Sequence, residues 1–157
     1  MKRPHLLPAL AALVLGLPLA ALAQVSAVPT QLSYQGRVTD AGGAALGNPT
    51  PVNRVVTFRI WNHATDATAG NRLYSEQQTV TIANGDFSVL IGNGTVVAGE
   101  AKPALDTVFN GAVRFLGVTV DDGTATADPE ISPRQQIVTD AYAFRAKVAE
   151  SVVGSAI

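Results

Sequence analysis

Runs of alternating apolar and polar residues recur along this chain from Leu32 onwards, separated by clusters of Gly, Pro, Asn and Asp. A period of two residues is typical of strands that bury one face. The clearest turn is Asn84-Gly85, which lies between two such runs and predicts a β-hairpin, because both central residues of a tight hairpin turn need positive φ. Six to seven short strands with little helix predict an all-β fold, an antiparallel β-sandwich with a short C-terminal helix.

The alternation and the turn residues give the bounds of each predicted element. We predict strands over residues 31–40, 55–61, 72–83, 86–91, 112–120 and 135–139, a loop over 41–53 and one helical turn over 103–109. The strand over 112–120 is apolar on both faces, which favours a central position in its sheet. Asp140 can cap the final helix by accepting hydrogen bonds from the backbone N–H groups of its first turn.

The first 23 residues have the layout of a secretory signal peptide. Lys2 and Arg3 precede an apolar run over residues 6–19, and Ala21-Leu22-Ala23 forms a small-x-small cleavage site. We therefore expect an exported chain, in the periplasm, at the cell surface or in the medium. The predicted plan is a signal peptide over 1–23, a flexible lead-in over 24–30, a sandwich over 31–140 and a helix or stalk start over 141–157.

Composition excludes several classes of protein. Without Lys2 and Arg3, the 11 basic residues fall to 9 against 12 acidic ones, so the mature chain carries a net charge of −3. That charge gives no basic surface for nucleic acid, and no second apolar run is long enough to span a membrane. The chain has no cysteine, so its stability must come from β packing and association rather than disulfides.

No group of residues predicts catalysis, a cofactor or a metal. His63 is the single histidine of the mature chain and is expected to be a solvated loop residue. Glu76 and Asp86 lie on the two strands of the predicted hairpin, and they are better explained as surface acids than as a glycosidase pair. Four acidic residues flank one loop: Asp121, Asp122, Asp128 and Glu130. Their spacing lacks the order of an EF-hand, so an acidic turn is preferred to a calcium site.

Three blocks of sequence resemble a known type of domain. They are LSYQGRVTDAGGAAL (32–46), NGDFSVLIG (84–92) and PEISPRQQIVTDAYAFRAKVAESVVG (129–154). Together they are similar to the N-terminal β domain of exported bacterial fibre-type proteins, which often continue into trimeric stalk repeats. The resemblance implies a secreted, non-catalytic structural or interaction module, an adhesin-like head or base of a surface fibre that forms a homo-oligomer, a trimer.

The C-terminal segment is the predicted interaction element. From Asp140 to Ile157, two apolar stripes cover much of a helix surface, which then needs a partner. Residues 140–148 either dock on their own sandwich or take part in assembly, whereas residues 149–157 favour assembly or disorder over docking. The predicted interaction residues are Pro133, Arg134, Gln135, Tyr142, Phe144 and Arg145. We expect Arg134 and Arg145 to fix the strand-to-helix corner by hydrogen bonds to backbone carbonyls or nearby acids.

The alternative hypothesis is a monomeric secreted module that binds carbohydrate or cell-wall polymer. It requires an exposed aromatic patch around Trp61 and Tyr74. Packing of these two rings in or near the core is the preferred interpretation of their positions, and it counts against this alternative.

Overall fold

The computed structural model describes residues 30–111 and 113–138, which form an all-β fold, as predicted. Its elements in chain order are β1 (Leu32–Arg37), β2 (Val52–Trp61), a 3₁₀ turn (Ala69–Asn71), β3 (Arg72–Ile82), β4 (Asp86–Ile91), α1 (Leu105–Val108), β5 (Arg114–Val120) and β6 (Gln135–Ile137). The predicted signal peptide and C-terminal helix lie outside the described residues.

Two antiparallel sheets build the molecule. One has four strands in the order β3-β2-β5-β6, and the other has two, β1 and β4. The ten-residue strand β2 pairs on both sides, so that Phe58 lies between Glu76 of β3 and Val118 of β5. Strand β5 is internal to its sheet, which confirms the prediction made from its two apolar faces.

The core lies between the two sheets. Alternate residues of β2 point into it, and Val56, Phe58 and Ile60 are fully buried there. Tyr34 of β1 meets Phe58 edge to face, with 5.9 Å between the ring centres, and Phe87 of β4 lies 5.9 Å from Tyr34 on the same side. The period of two residues along each strand therefore produces one continuous apolar layer.

The Asn84-Gly85 turn forms as predicted, but the hairpin does not. Both residues have positive φ, 51° and 87°, and the flanking residues Ala83 and Asp86 form a bridge. Beyond this bridge β3 and β4 separate into different sheets, and β4 pairs with β1 instead.

The reason for this separation is that the loop before β2 binds the turn. The backbone N–H of Asn84 donates to the carbonyl of Gly47 (3.0 Å), and that of Gly85 donates to the carbonyl of Leu46 (2.6 Å). Val38 in turn donates to the carbonyl of Gly85 (2.8 Å). These bonds hold the turn at the junction of the two sheets, which a local sequence signal does not encode.

Several strand bounds also differ from the predicted ones. Strand β1 ends at Arg37 because Asp40 accepts the backbone N–H groups of Gly42 and Ala44 and turns the chain. Strand β2 starts at Val52, inside the predicted loop over 41–53, because its first residues pair with the end of β3. Strand β6 has only three residues. Among the residues that the structure describes, no helix has the length and apolar character needed to cross a membrane.

Candidate interaction site

Among the predicted interaction residues that the structure describes, Arg134 makes the most hydrogen bonds. It lies just before β6, and its side chain is only 6% exposed. Its Nε donates to Glu130 Oε1 at 2.6 Å, and one Nη donates to the backbone carbonyls of His63 and Asp66, both at 2.9 Å. The guanidinium carbon lies 3.7 Å from the ring centre of Trp61. A planar guanidinium can donate and stack at the same time, which a lysine cannot do.

Trp61 and Gly117 complete this arrangement. Trp61 ends β2 after an irregularity in the register, is 3% exposed, and donates from its indole Nε1 to Glu130 Oε2 at 3.0 Å. The Glu130 carboxylate lies where a side chain at Gly117 would begin, so any larger residue there would have to displace this carboxylate. We call Trp61, Glu130 and Arg134, with the two carbonyls that Arg134 binds, the Arg134 clamp.

A second ion-pair group lies near the Arg134 clamp. Arg59 donates from two nitrogens to the two carboxylate oxygens of Glu100, both at 2.9 Å, and Arg72 Nε lies 3.3 Å from the same group. Arg72 also lies 5.9 Å from the Trp61 ring centre. Burial favours the neutral form of Glu100, but hydrogen bonds and the charges of Arg59 and Arg72 outweigh it, so the pKa of Glu100 is below its ordinary value.

Glu76 is a buried carboxylate that the sequence analysis took for a surface acid. Its side chain is fully buried, and each oxygen accepts two hydrogen bonds. Oε1 accepts from Gln78 (2.8 Å) and from the backbone N–H of Gly92 (3.0 Å). Oε2 accepts from the Tyr74 hydroxyl (2.6 Å) and from the backbone N–H of Gly94 (3.0 Å). Glu76 therefore ties the chain that follows β4 to β3, and we call this group the Glu76 clamp.

Glu76 and Asp86 have separate partners, although the predicted hairpin placed them on its two strands. Lys102 Nζ lies 3.7 Å from Glu76, and burial followed by the bond to Glu76 raises the pKa of Tyr74. Asp86 instead bonds Arg37 at 2.9 Å on the surface, at the start of β4, whereas Glu76 binds residues beyond its end. Asp86 therefore lies at the start of β4, whereas Glu76 lies near its end. The prediction that both acids lie on the two strands of one hairpin was wrong.

The remaining aromatic and histidine predictions concern exposure. Trp61 and Tyr74 are 3% and 1% exposed, so they do not form the surface patch that a carbohydrate-binding module would need. His63 lies in an exposed loop, as predicted, where its Nδ1 accepts the backbone N–H groups of Thr65 and Asp66 at 3.2 and 2.9 Å. These contacts stabilise the loop whose carbonyls bind Arg134.

The acidic loop is held by its own backbone. Three carboxylates lie within 4.8 Å of one another: Asp121, Asp122 and Asp128. Asp128 accepts the backbone N–H of Asp122 at 3.1 Å, and hydrogen bonds from Thr124 place the pKa of Asp122 below its ordinary value. Glu130 belongs to the Arg134 clamp instead. These contacts explain the acids as turn-forming groups.

The residues from Glu130 to Gln135 divide between the two faces of the four-stranded sheet. Glu130 and Arg134 bond each other in the clamp, while Ile131, Pro133 and Gln135 line a cavity of about 140 Å³ against β1 and β5. The backbone N–H of Ile131 donates to the Val118 carbonyl at 2.8 Å, so the segment follows the edge of β5. Of the predicted interaction residues, Pro133, Arg134 and Gln135 lie in this segment. The others, Tyr142, Phe144 and Arg145, lie outside the described residues.

A second cavity, of about 470 Å³, continues the first one along the same edge. Both are lined by Val38 and Ile131, and the second is also lined by Leu46, Val120 and Pro129. We call the two together the open-side groove, which runs between β1 and residues 128–135. No single-residue pattern in the sequence marks it, because it arises where two sheets meet.

The comparisons with known proteins give a family but no function. No curated protein and no solved structure matches the chain. A family model described as "Domain of unknown function (DUF8740)" matches residues 33–134, more than half of the 157 residues. The match extends from β1 to Arg134 and so includes the residues of both clamps. The chain belongs to the family described as a domain of unknown function, DUF8740.

Proposed function

We propose that the chain is an exported, non-catalytic structural or interaction module, the head or base domain of a bacterial surface fibre. It self-associates, as a trimer, through the segment that follows β6. The signal-peptide pattern and the resemblance of residues 32–46, 84–92 and 129–154 to fibre-type proteins support this proposal.

The Arg134 clamp is the observation that carries the proposal. It ties the turn before β6 to the end of β2 and to the loop after it, over sequence separations of 69 and 71 residues. The chain therefore enters β6 from a point that is fixed on the longest internal strand of the sandwich. A module that carries load into a following segment needs such an anchor, because the last strand has only three residues.

Three buried or half-buried carboxylates also favour a structural role. Glu76, Glu100 and Glu130 each receive two or more hydrogen bonds and hold separate segments together. Charge-assisted bonds of this kind add geometric specificity to a small all-β domain that has no disulfide.

The test of the proposal is the solution mass of the mature chain, residues 24–157, measured by light scattering over a range of concentrations. We expect three chains per particle. Val152→Asp with Val153→Asp should give monomers, because two charges would enter the apolar stripe of residues 149–157. Val96→Asp is the matched control, since Val96 is 60% exposed in the folded domain. A wild-type chain that is monomeric at every concentration would overturn the proposal.

A further inference from the structure

We propose that residues 142–148 dock in the open-side groove of their own chain, and that residues 149–157 alone remain for assembly. Only the assembly role of residues 149–157 rests on the proposed function; the docking of residues 142–148 does not. It resolves the choice that the sequence leaves open for residues 140–148, in favour of docking within one chain.

The groove lies between two strand edges that have no partner among the described residues. Strand β1 pairs with β4 alone, and β6 pairs with β5 alone. Because the N–H of Val38 points to β4, alternation directs the backbone groups of Ser33, Gln35 and Arg37 away from β4 and towards the free edge. A free edge beside an apolar groove favours a covering segment.

The walls of the groove are apolar and continuous with the core. Leu116 and Val118 form its floor and belong to the buried core, whereas Ile131 on its rim is 49% exposed. Pro129 and Pro133 lie on the same rim and have no N–H to offer to an added strand. An added strand could not pair fully with residues 128–135. This rim therefore favours an occupant that packs its side chains into the groove.

The chain leaves the described structure next to this groove. Gln135 lines it, and Val138, the last described residue, is 76% exposed. Tyr142 and Phe144 follow Val138 by four and six residues. At about 3.3 Å per residue they lie within roughly 13 and 20 Å of it, even in an extended chain. Asp140 is a residue type that favours the reversal of direction this path requires.

Charge favours the same direction of docking. Asp40, Asp122 and Asp128 line the far end of the groove, and none of the described residues that line that end with them is basic. Arg54 is close enough to Asp122 to help lower its pKa, which leaves Asp40 and Asp128 as the other acids there. Arg145 and Lys147 follow the two aromatic residues. With Tyr142 and Phe144 in the apolar part of the groove, Arg145 and Lys147 approach the aspartates at its far end.

Covalent linkage favours the chain's own segment over that of a second copy. A tether of a few residues gives an effective concentration in the millimolar range, which exceeds that of free protein in most solutions. The apolar residues Val152, Val153 and Ile157 then lie beyond the docked part and remain available to other copies.

The experiment uses the absence of cysteine from the chain. Ile131→Cys is combined with Ala146→Cys in the full mature chain, which leaves Tyr142 and Phe144 in place, and a short bismaleimide reagent is added at low protein concentration. The control pair is Thr79→Cys with Ala146→Cys, because Thr79 is exposed on the other face of the four-stranded sheet. Linked peptides are identified by mass spectrometry, and gel mobility separates links within one chain from links between chains.

We expect about tenfold more intramolecular product from the groove pair than from the control pair. Equal yields, or a product that links two chains, would overturn the inference. Ile131 is half exposed, so its replacement keeps the fold, and a thermal melt of each variant verifies this. The light-scattering mass of the wild-type chain tests the proposed function independently of the cross-linking. A monomeric wild-type chain together with an intramolecular link would refute the proposed function and support the docking.

Discussion

The two sides of the sandwich differ in how their strand edges are covered. On the side where β3 leads into β4, Gln78 donates to the carbonyl of Leu90 on the outer edge of β4 at 2.8 Å, and Glu76 binds the residues beyond it. On the opposite side, the outer edge of β1 faces the open-side groove and has no strand partner among the described residues.

The difference shows which side of the sandwich is open for the proposed docking. On the side of the Glu76 clamp, residues 30–111 cover the outer edge of β4 themselves, because the Glu76 carboxylate accepts four hydrogen bonds from the residues around it. The groove side has an anchor in the Arg134 clamp but keeps apolar surface and backbone groups at its rim. Stability and interaction are thus assigned to different sides, and the following changes test that division in order of decreasing effect.

The largest effect should come from Glu76→Ala. The change leaves the buried donors of Tyr74, Gln78, Gly92 and Gly94 without their acceptor, so we expect a loss of about 3–5 kcal/mol in the free energy of unfolding. Urea denaturation measures the loss. Glu76→Gln keeps the side-chain shape but directs an NH₂ group at other donors, so it should recover only part of the lost free energy of unfolding. A loss below about 1 kcal/mol for the alanine variant would show that the Glu76 clamp is dispensable.

Arg134→Ala should be the next most damaging change. It removes three hydrogen bonds and the contact with the Trp61 ring, with an expected cost of about 2–3 kcal/mol. Trp61 emission should shift to the red as water reaches the ring. Arg134→Lys should restore less than half, because an ammonium group cannot reproduce the planar geometry. Arg37→Ala is the control, since its ion pair with Asp86 is more than half exposed and should cost under about 0.5 kcal/mol.

Gly117→Ala tests whether the position of Glu130 matters. The new methyl group would overlap the Glu130 carboxylate and push it away from Trp61, with an expected loss of about 1–3 kcal/mol. Gly70→Ala is the matched control, because a side chain there meets no atom within 4 Å. Equal melting temperatures for the two variants would contradict the described geometry of the Arg134 clamp.

The smallest effect is a dependence of stability on pH that arises from Glu100. Its pKa is lowered in the folded state from an ordinary value of 4.5. A lowered pKa contributes stability above the unfolded value, and this contribution disappears as the pH falls through the folded value. Wild type should therefore lose more stability than Glu100→Gln between about pH 5 and pH 3. If the free energies of unfolding from urea titrations changed with pH in parallel for the two proteins, the contribution of the Arg59–Glu100 ion pair would be contradicted.

Local sequence patterns predicted the strands better than their partners. Alternation identified the buried face of β2, and Asn84-Gly85 identified a tight turn. The separation of β3 and β4 depends on hydrogen bonds that the carbonyls of Leu46 and Gly47 accept from the turn, and no period of two residues encodes these distant partners.

The candidate site could be predicted only in part for the same reason. Arg134 is a predicted interaction residue, and its expected hydrogen bonds to a carbonyl and an acid are present. The link from Glu130 to Trp61 spans 69 residues and requires the gap at Gly117, so it becomes visible only once β2, β5 and residues 128–134 are in place. Glu76 was missed because a lone acid on a strand has no local signal of burial.

Hydrogen exchange of the mature chain tests most directly whether the two sides differ in this way. Exchange of the backbone N–H groups of Gln35 and Arg37, on the free edge of β1, is compared between residues 24–157 and a chain that ends at Asp140. We expect these two amides to exchange about tenfold faster in the shorter chain, while Gly92 and Gly94 in the Glu76 clamp keep their protection. Unchanged exchange at Gln35 and Arg37, or an equal acceleration at all four amides, would contradict the assignment of binding to the open side.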